Sequence, residues 1–398
     1  MADGAPGRHA RGTNQVGMRD HNERLVLTLL RANGALAKAP VARMTGLSAQ
    51  TASVIMRKLE EDGLIHKGEP QRGRIGQPSI PLHLTPEGAY FLGLKVGRRS
   101  YEAGLIDFCG NTIGRTRRLH AYPDLDACLD FAADAVAELT ALLPADKRDR
   151  VAGLGIAPPF LLWDWADALG IDRQAMIPWR DRDIEAELTD RLGLPVHVQN
   201  DATAACGAEL VFGRARMPRD VVHIYVGYFV GGGLVLDGSL FTGRAGNAGA
   251  VGSLLIPGPD GPRQLIDVAS LAVLERRLAD AGGQPDQLWR DIDGWDLPAD
   301  VLDPWLDEAA EGLAHAIATA AAVIDAEAAL IDGWLPPDIR SRLAAKVDAA
   351  LGRLDLSGIE RPSILEGTLG PEARMLGAAA LPLSHRFLVD RSTLGGIG

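Results

Sequence analysis

Aromatic residues make up only 5% of this 398-residue chain, and it contains three cysteines. Cys109, Cys128 and Cys206 are odd in number and widely spaced, which excludes a disulfide framework or a CxxC metal site and suits small buried side chains in a reducing compartment. No run approaches the roughly 18 apolar residues of a membrane helix. The start, MADGAPGRHARGTNQ, lacks the apolar segment of a secretory signal. We therefore expect a cytoplasmic protein without a membrane partner.

Charge is unevenly distributed along the chain. The net charge of −11 would by itself argue against a nucleic-acid partner. Residues 1–85 nevertheless hold twelve Lys and Arg against seven Asp and Glu, a net charge of +5 that leaves −16 for the remainder. A basic head on an acidic body indicates that only the head contacts a polyanion.

Three helices are predicted in the head. The first ends before Gly34, a short second helix after Pro40 ends at Gly46, and the third begins at Ser48, a favourable N-cap residue, and ends at Asp62. Two helices joined by a tight turn form a helix-turn-helix, whose second helix enters the major groove of DNA. The alternative is a three-helix bundle whose polar face is only solvated.

The polar face of the third helix and the segment after it carry the predicted DNA contacts. Gln and Arg can bond base edges with two hydrogen bonds, and Ser and Thr are less selective. Residues 64–67 and 80–84 are predicted as paired strands around GEPQRGRIGQPS, residues 68–79, which indicates a wing that tracks phosphate or enters a narrow minor groove. The predicted partner is a double-stranded DNA operator. The predicted DNA-binding residues are Ser48, Gln50, Thr51, Ser53, Arg57, Lys58, Arg72 and Arg74.

Strands and helices alternate beyond the head, which predicts an α/β body of two lobes with a cleft between them. We expect a hairpin over 90–107, buried strands over 151–157 and 221–226, and a helix over 201–212. The stretch 227–238, GYFVGGGLVLDG, raises the main question, because three glycines between apolar runs resemble the turn of a phosphate-binding enzyme.

Several motifs in order resemble the ROK family of repressors and sugar kinases. They are Asn200-Asp201-Ala202-Thr203-Ala204-Ala205, the glycine hairpin 227–238, Gly246-Asn247-Ala248-Gly249, and a closing pattern of Leu369, Gly370, Ala373, Gly377, Ala378 and Ala379. The resemblance covers nearly the whole chain and implies an α/β fold class: an N-terminal winged helix-turn-helix followed by a two-lobed actin-like ATPase (ribonuclease H-like) fold. The implied domains are 1–85 and 86–398, the latter with one lobe at about 86–200 plus 368–398 and a second at about 201–367.

The nucleotide elements that the resemblance implies are altered. The first phosphate loop of the kinases, D-x-G-G-T, matches Lys95-Val96-Gly97-Arg98-Arg99, where a base replaces the acid that orders Mg²⁺. The second, G-T-G-x-G-G-G, matches residues 227–233, where a tyrosine and a phenylalanine fill the volume of a phosphate. The adenosine element matches Asp332-Gly333, followed by Trp334. We therefore expect neither ATP binding nor a cofactor.

The sugar elements are retained in part. The resemblance makes Asp201 the counterpart of the kinase general base and Asn200 a sugar-holding residue; without a phosphoryl donor, Asp201 would accept a hydrogen bond from a sugar hydroxyl. Residues 248–253 match the A-G-E-x-G-H motif of the family but lack its Glu and His. Because the loop after this motif has no Cys, we expect no bound metal. Trp163, Trp165 and Trp179 either stack on a sugar or, more commonly, pack in a core. The predicted sugar-binding residues are Asn200, Asp201, Asn247 and Asp267, the last in place of a family Glu.

The leading hypothesis is a sugar-responsive transcriptional repressor without kinase activity. Its effector would be a small carbohydrate or sugar phosphate, and a homodimer or homotetramer is implied because palindromic operators mirror the two-fold symmetry of the protein. An active ATP-dependent sugar kinase that also binds DNA is the alternative, supported by the retained Asn200-Asp201 pair. A third hypothesis is a DNA-bound scaffold whose cleft has lost its ligand.

Overall fold

The computed structural model describes residues 15–70, 79–166, 170–215, 217–290, 292 and 294–389. It divides into two units, one running to Gly88 and including His385–Val389, the other comprising Ala89–Ser384. The segment 385–389 was assigned to the body on sequence, but here it belongs to the first unit, where the backbone N–H of Val389 donates to Thr28 Oγ1 at 3.1 Å. The predicted lobe boundaries stay predictions.

Three helices and a three-stranded antiparallel sheet form the first unit. The elements are α1 Gln15–Asn33, β1 Ala35–Ala37, α2 Lys38–Thr45, α3 Ala49–Glu61, β2 Ile65–Lys67 and β3 Pro81–Leu84, with strand order β1-β3-β2. The three predicted helices are confirmed, although α2 begins two residues before Pro40, which the first turn of a helix tolerates. Strand β1 was not predicted, because three residues carry no readable alternation.

Local signals determine the turn between α2 and α3. Gly46 caps α2 in the left-handed conformation at φ 69°, which glycine adopts without steric cost. Ser48 accepts a hydrogen bond from the backbone N–H of Thr51 at 3.1 Å and so caps α3. Apolar residues at one-face spacing form the buried side of α3: Ala52, Ile55, Met56 and Leu59.

Two five-stranded sheets of identical topology organise the second unit. Each has three antiparallel strands followed by two parallel ones, in the orders β6-β5-β4-β7-β8 and β11-β10-β9-β14-β15, and β12 and β13 form a separate pair. This repeated arrangement is the predicted two-lobed α/β body. The strands are β4 Tyr90–Val96, β5 Ser100–Asp107, β6 Thr112–Leu119, β7 Val151–Ala157, β8 Val196–Val198, β9 Val221–Val226, β10 Val230–Leu236, β11 Ser239–Phe241, β12 Leu255–Ile256, β13 Arg263–Gln264, β14 Ala328–Gly333 and β15 Ser363–Glu366.

Helices cover these sheets, and two apolar cores lie between the layers. The helices are α4 Leu125–Ala141, α5 Arg173–Met176, α6 Pro178–Asp181, α7 Ile184–Leu192, α8 Asp201–Phe212, α9 Ile266–Ala269, α10 Leu271–Asp280, α11 Gln287–Arg290, α12 Ala299–Ile324, α13 Pro337–Leu351 and α14 Ala373–Phe387. None of the helices in the described part of the chain combines the length and apolar character of a membrane span.

The glycine run lies in a strand and not in a turn. Gly231, Gly232 and Gly233 belong to β10 and pair with residues 225, 224 and 223 of β9, whereas their composition resembles a phosphate-binding turn. A Cβ at Gly233 would lie 2.6 Å from the Cβ of Cys206 in α8. The glycines therefore allow α8 to pack closely against the sheet.

Helices α8 and α14 approach each other at backbone distance. A Cβ on Gly377 of α14 would lie 2.1 Å from the carbonyl oxygen of Ala204 in α8. On the other side of α14, a Cβ on Gly155 of β7 would lie 1.7 Å from the carbonyl oxygen of Ala378. Helix α14 thus packs between the first sheet and α8. Asp201 is the first residue of α8.

Candidate functional site

The exposed face of α3 carries most of the predicted DNA contacts. Gln50, Thr51 and Arg57 are exposed and Ser53 is half-buried. The Arg57 side chain is 70% exposed, and its nearest acid, Glu61, lies 3.8 Å away. Arg57 is therefore available to a DNA ligand.

Three of the predicted contacts already have partners within the protein: Ser48, Thr51 and Lys58. Ser48 caps the helix and lies 2.8 Å from Thr51 Oγ1. Lys58 Nζ lies 2.9 Å from Asp62 Oδ2, and this hydrogen bond raises the pKa of Lys58. Arg72 and Arg74 lie outside the described residues. Val54, which the predicted set omitted although it shares the polar face, is 45% exposed and could contact a thymine methyl group.

Arg57→Ala should weaken DNA binding by about 1–3 kcal/mol, roughly 5- to 150-fold, if the side chain makes a bidentate base contact. The matched control is Lys58→Ala, which should cost much less because Asp62 already binds that charge. Fluorescence anisotropy of the full chain on a duplex selected from a random library measures both. Equal losses for the two variants would contradict the prediction.

A cleft of about 500 Å³ lies in the body beside the start of α8 and brings together three of the four predicted sugar residues, Asn200, Asp201 and Asn247. Asn200 Oδ1 caps α8 by accepting from the backbone N–H of Thr203 at 3.0 Å. Its amide nitrogen lies 3.4 Å from Asp201 Oδ1. The Asn200 oxygen is thus used within the protein, while the Asp201 carboxylate faces the cleft.

Arg374, which the sequence analysis missed, is the partner of Asp201. Its guanidinium lies 3.1 Å from Asp201 Oδ2 and 5.0 Å from the centre of the Tyr225 ring. The side chain is only 12% exposed. Burial acts to lower the pKa of Arg374, but Tyr225 and Asp201 raise it above its ordinary value, so Arg374 stays charged. A lone cation in the apolar run 373–380 was the available sequence signal.

Side chains pack together where the altered first phosphate loop meets the second lobe. Lys95 is buried at 4% exposure, and its ammonium lies 3.1 Å from Glu102 and 5.3 Å from the centre of the Trp334 ring. Burial, assisted by the charge of Arg374, lowers the pKa of Lys95 to about 8. The resemblance places a metal-ordering Asp at this position, but here it is occupied by Lys95, which forms an ion pair with Glu102.

The two arginines after Lys95 also have protein partners. Arg98 stacks on Tyr228, with the guanidinium carbon 4.2 Å from the ring centre. Arg98 and Arg99 lie 3.4 and 3.2 Å from Glu275, and Arg99 lies 2.7 Å from Asp286. Both cations are therefore neutralised by carboxylates and not held free for phosphate.

The space left among these groups is small. Trp289 donates to Glu275 at 2.8 Å, and its ring centre lies 6.2 Å from that of Trp334. The cavity that they line with Lys95, Arg98 and Tyr228 measures about 70 Å³. Pockets for small ligands and cofactors usually measure about 300–1,000 Å³, so this cavity does not by itself hold a nucleotide. It shares Arg98, Tyr228 and Arg374 with the cleft.

Asp332, of the altered adenosine element, lies near the end of β14. It is fully buried, and its carboxylate accepts from the backbone N–H of Gly370 at 3.2 Å and lies 3.4 Å from Arg340. Burial, together with the charge of Glu209, raises the pKa of Asp332 to about 7. Near neutral pH the group is thus partly protonated and forms part of the packed interior.

Comparisons with known proteins agree with this geometry. Residues 91–265 match the model of the ROK family, and residues 19–66 match that of winged helix-turn-helix DNA-binding domains. The chain carries a ROK-family domain behind a winged helix-turn-helix.

Three individual proteins illustrate the likeness. The chain is similar to the uncharacterised protein y4fQ of Sinorhizobium fredii (26% identity, 94% of each chain) and to the xylose repressor of Bacillus spizizenii (23% identity, 61% of this chain and 62% of the repressor). The xylose repressor is thus matched over less than two thirds of its length. A crystal structure of a ROK family transcriptional regulator, a homolog of the E. coli MLC protein, has the same fold at a TM-score of 0.68, with 24% identity over 92% of this chain and 96% of that one.

Asp267 does not join the other three predicted sugar residues in this ROK-family domain. It is exposed and absent from the cleft lining, whereas Ile266 and Gln264 line it. Leu265 is fully buried and fixes the rotation of the short helix α9, which turns Asp267 outward. The resemblance places Asp267 at the position of the family Glu. In α9, however, the neighbouring residue Ile266 faces the cleft, because adjacent residues of a helix point in different directions.

Other predicted positions fall as follows. Ala250 and Ser253 line the cleft where the family motif has Glu and His. Trp179 is buried and donates to the carbonyl of Pro123 at 2.7 Å, while Trp163 is partly buried and the side chain of Trp165 lies outside the described part. Within that part, no group of three or more His, Cys, Asp or Glu could hold a metal ion.

Proposed function

We propose that the chain is a transcriptional regulator that binds operator DNA through its head and a small carbohydrate in the cleft of its body, and that it does not transfer phosphate. The winged helix-turn-helix and the likeness to a xylose repressor support the two binding roles. Because operators are palindromic, the proposed form is a homodimer or homotetramer. A DNA-binding role also favours the cytoplasm as its location.

One contrast carries this proposal. The cleft at Asn200 and Asp201 measures about 500 Å³, whereas the cavity enclosed by Lys95, Trp289 and Trp334 measures about 70 Å³. A chain with room for a sugar but not for ATP can bind an effector and has no phosphoryl donor. The ion pair with Arg374 adds support, because the carboxylate at the general-base position already has a partner within the protein.

A ligand panel tests the proposal. In thermal-shift measurements, at least one pentose, hexose, polyol or their phosphates should stabilise the full chain, by about 2.7 kcal/mol at 100 times its dissociation constant. The same sugar should change DNA affinity by about 1–3 kcal/mol. ATP with Mg²⁺ should produce neither a shift nor sugar-dependent ADP.

Two results would contradict it in different ways. Sugar-dependent ADP production that Asp201→Asn abolishes would identify a kinase. DNA binding without any stabilising sugar would favour the scaffold hypothesis.

A further inference from the structure

A second cavity of about 640 Å³ adjoins the cleft. The two share Pro159, Phe160, Leu161 and Asn200 as common wall residues. Both lie wholly within Ala89–Ser384, and the second cavity shares no lining residue with the small cavity at Trp334. The candidate effector site therefore continues on the side away from the closed nucleotide region.

The floor of this second cavity is an exposed apolar surface. Leu161 is 39% exposed and Val198 is 37% exposed, and Phe160 and Trp163 lie beside them. We call these four residues the apolar shelf. Exposed apolar side chains grouped in a concavity mark ligand or partner surfaces more often than scattered ones do.

The charged residues around the apolar shelf already have partners. Arg180 lies 2.8 Å from Asp181, and Arg182 lies 2.6 Å from Glu187. Asp183 caps α7 by accepting from Ala186. The rim carries three carboxylates, Asp181, Asp183 and Glu185, against two arginines, which suits a neutral polar ligand better than an anion.

One strained backbone position, Leu161, lies where the two cavities meet. Leu161 has φ 49° and ψ 42°, in the left-handed region. A non-glycine residue in that region is uncommon, and such conformations cluster at ligand-binding sites. The conformation of Leu161 holds its side chain in the wall that both cavities share.

We infer that the effector is larger than a monosaccharide: a disaccharide or other glycoside with one ring at Asp201 and Asn247 and the second unit on the apolar shelf. This inference rests on the proposed function. A sugar ring has an apolar C–H face and a polar rim, which match the apolar shelf and its paired charges. Ala250, where the resemblance has a Glu, leaves the first cavity wide enough for a substituted ring.

Calorimetry with matched sugars tests the inference. Xylose is compared with xylobiose, glucose with cellobiose and maltose, and N-acetylglucosamine with chitobiose. At least one disaccharide should bind about tenfold or more tightly than its monosaccharide, a difference of about 1.4 kcal/mol. Ala245→Trp places a bulky group in the second cavity, which Ala245 lines. It should remove this gain and leave monosaccharide binding unchanged.

Two further variants separate folding from binding. Arg244→Trp adds the same ring at the preceding residue, which is exposed and lines neither cavity. This variant should still bind the disaccharide more tightly than the monosaccharide. Trp163→Ala should reduce the gain, with thermal unfolding as the check on its packing. Monosaccharide binding without any tighter disaccharide, or a gain that survives Ala245→Trp, would overturn the inference and leave the proposed function intact. If no sugar of either size binds a chain that still binds DNA, both fail.

Discussion

Replacing Arg374 with methionine should destabilise the body by about 3–5 kcal/mol, because it leaves the carboxylate of Asp201 in a largely buried position without its counter-charge. The guanidinium lies 3.1 Å from Asp201 Oδ2, and the two side chains are 12% and 15% exposed. Methionine keeps the length and apolar bulk of the arginine stem, so the loss reports mainly the charge. The two residues are far apart in sequence, and their pairing depends on α8 and α14 meeting.

The chain offers a matched control for this variant. Arg277 lies 2.7 Å from Glu308, but these side chains are 30% and 44% exposed. Exposed ion pairs contribute about 0–1 kcal/mol, so Arg277→Met should have a small effect. Urea unfolding followed by tryptophan fluorescence measures both, because all seven tryptophans lie in the body.

A double variant completes the argument. Asp201→Asn combined with Arg374→Met removes both charges and should recover most of the lost stability, because no unpaired ion then stays buried. If Arg374→Met costs no more than Arg277→Met, or if the double variant is as unstable as the single one, the pair does not have the role assigned to it.

The parts of the fold that the sequence predicted well are those with local causes. Gly46 and Ser48 set the turn before α3 by their own backbone preferences. Helix α8 has the predicted bounds, because it begins at a clear signal, Asn200 as N-cap. The buried face of α3 likewise follows from the spacing of its apolar residues.

The parts that were missed depend on contacts between distant segments. The glycine run resembles a turn by composition, but it lies in strand β10. Small residues are needed there because α8 packs directly against that strand. The partner of Asp201 lies on α14, and no local pattern connects the two. The position of Asp267 depends on which neighbour of Leu265 faces the core. In each case the conformation or contact of a residue depends on the segment packed against it and not on its own local sequence.

The close approach of α8 and α14 leads to the second large effect. Gly377→Ala should destabilise the body by about 3 kcal/mol or more, at the upper end of the cost of overpacking. The added Cβ would lie 2.1 Å from the carbonyl oxygen and 2.3 Å from the carbonyl carbon of Ala204. Because both atoms belong to the backbone, no side-chain rotation relieves the overlap and the helices must separate.

Gly352→Ala is the control, since it makes the same chemical change without the overlap. Gly352 has φ −66°, and its added Cβ would meet no atom closer than 3.6 Å, so the variant should be neutral or stabilising by up to about 1 kcal/mol. Helix α8 carries Asp201 and α14 carries Arg374, so separating the helices should also lengthen their ion pair and weaken effector binding. Urea unfolding and sugar titration of the two variants measure these effects. Equal stabilities would show that α8 and α14 are not in contact at Gly377.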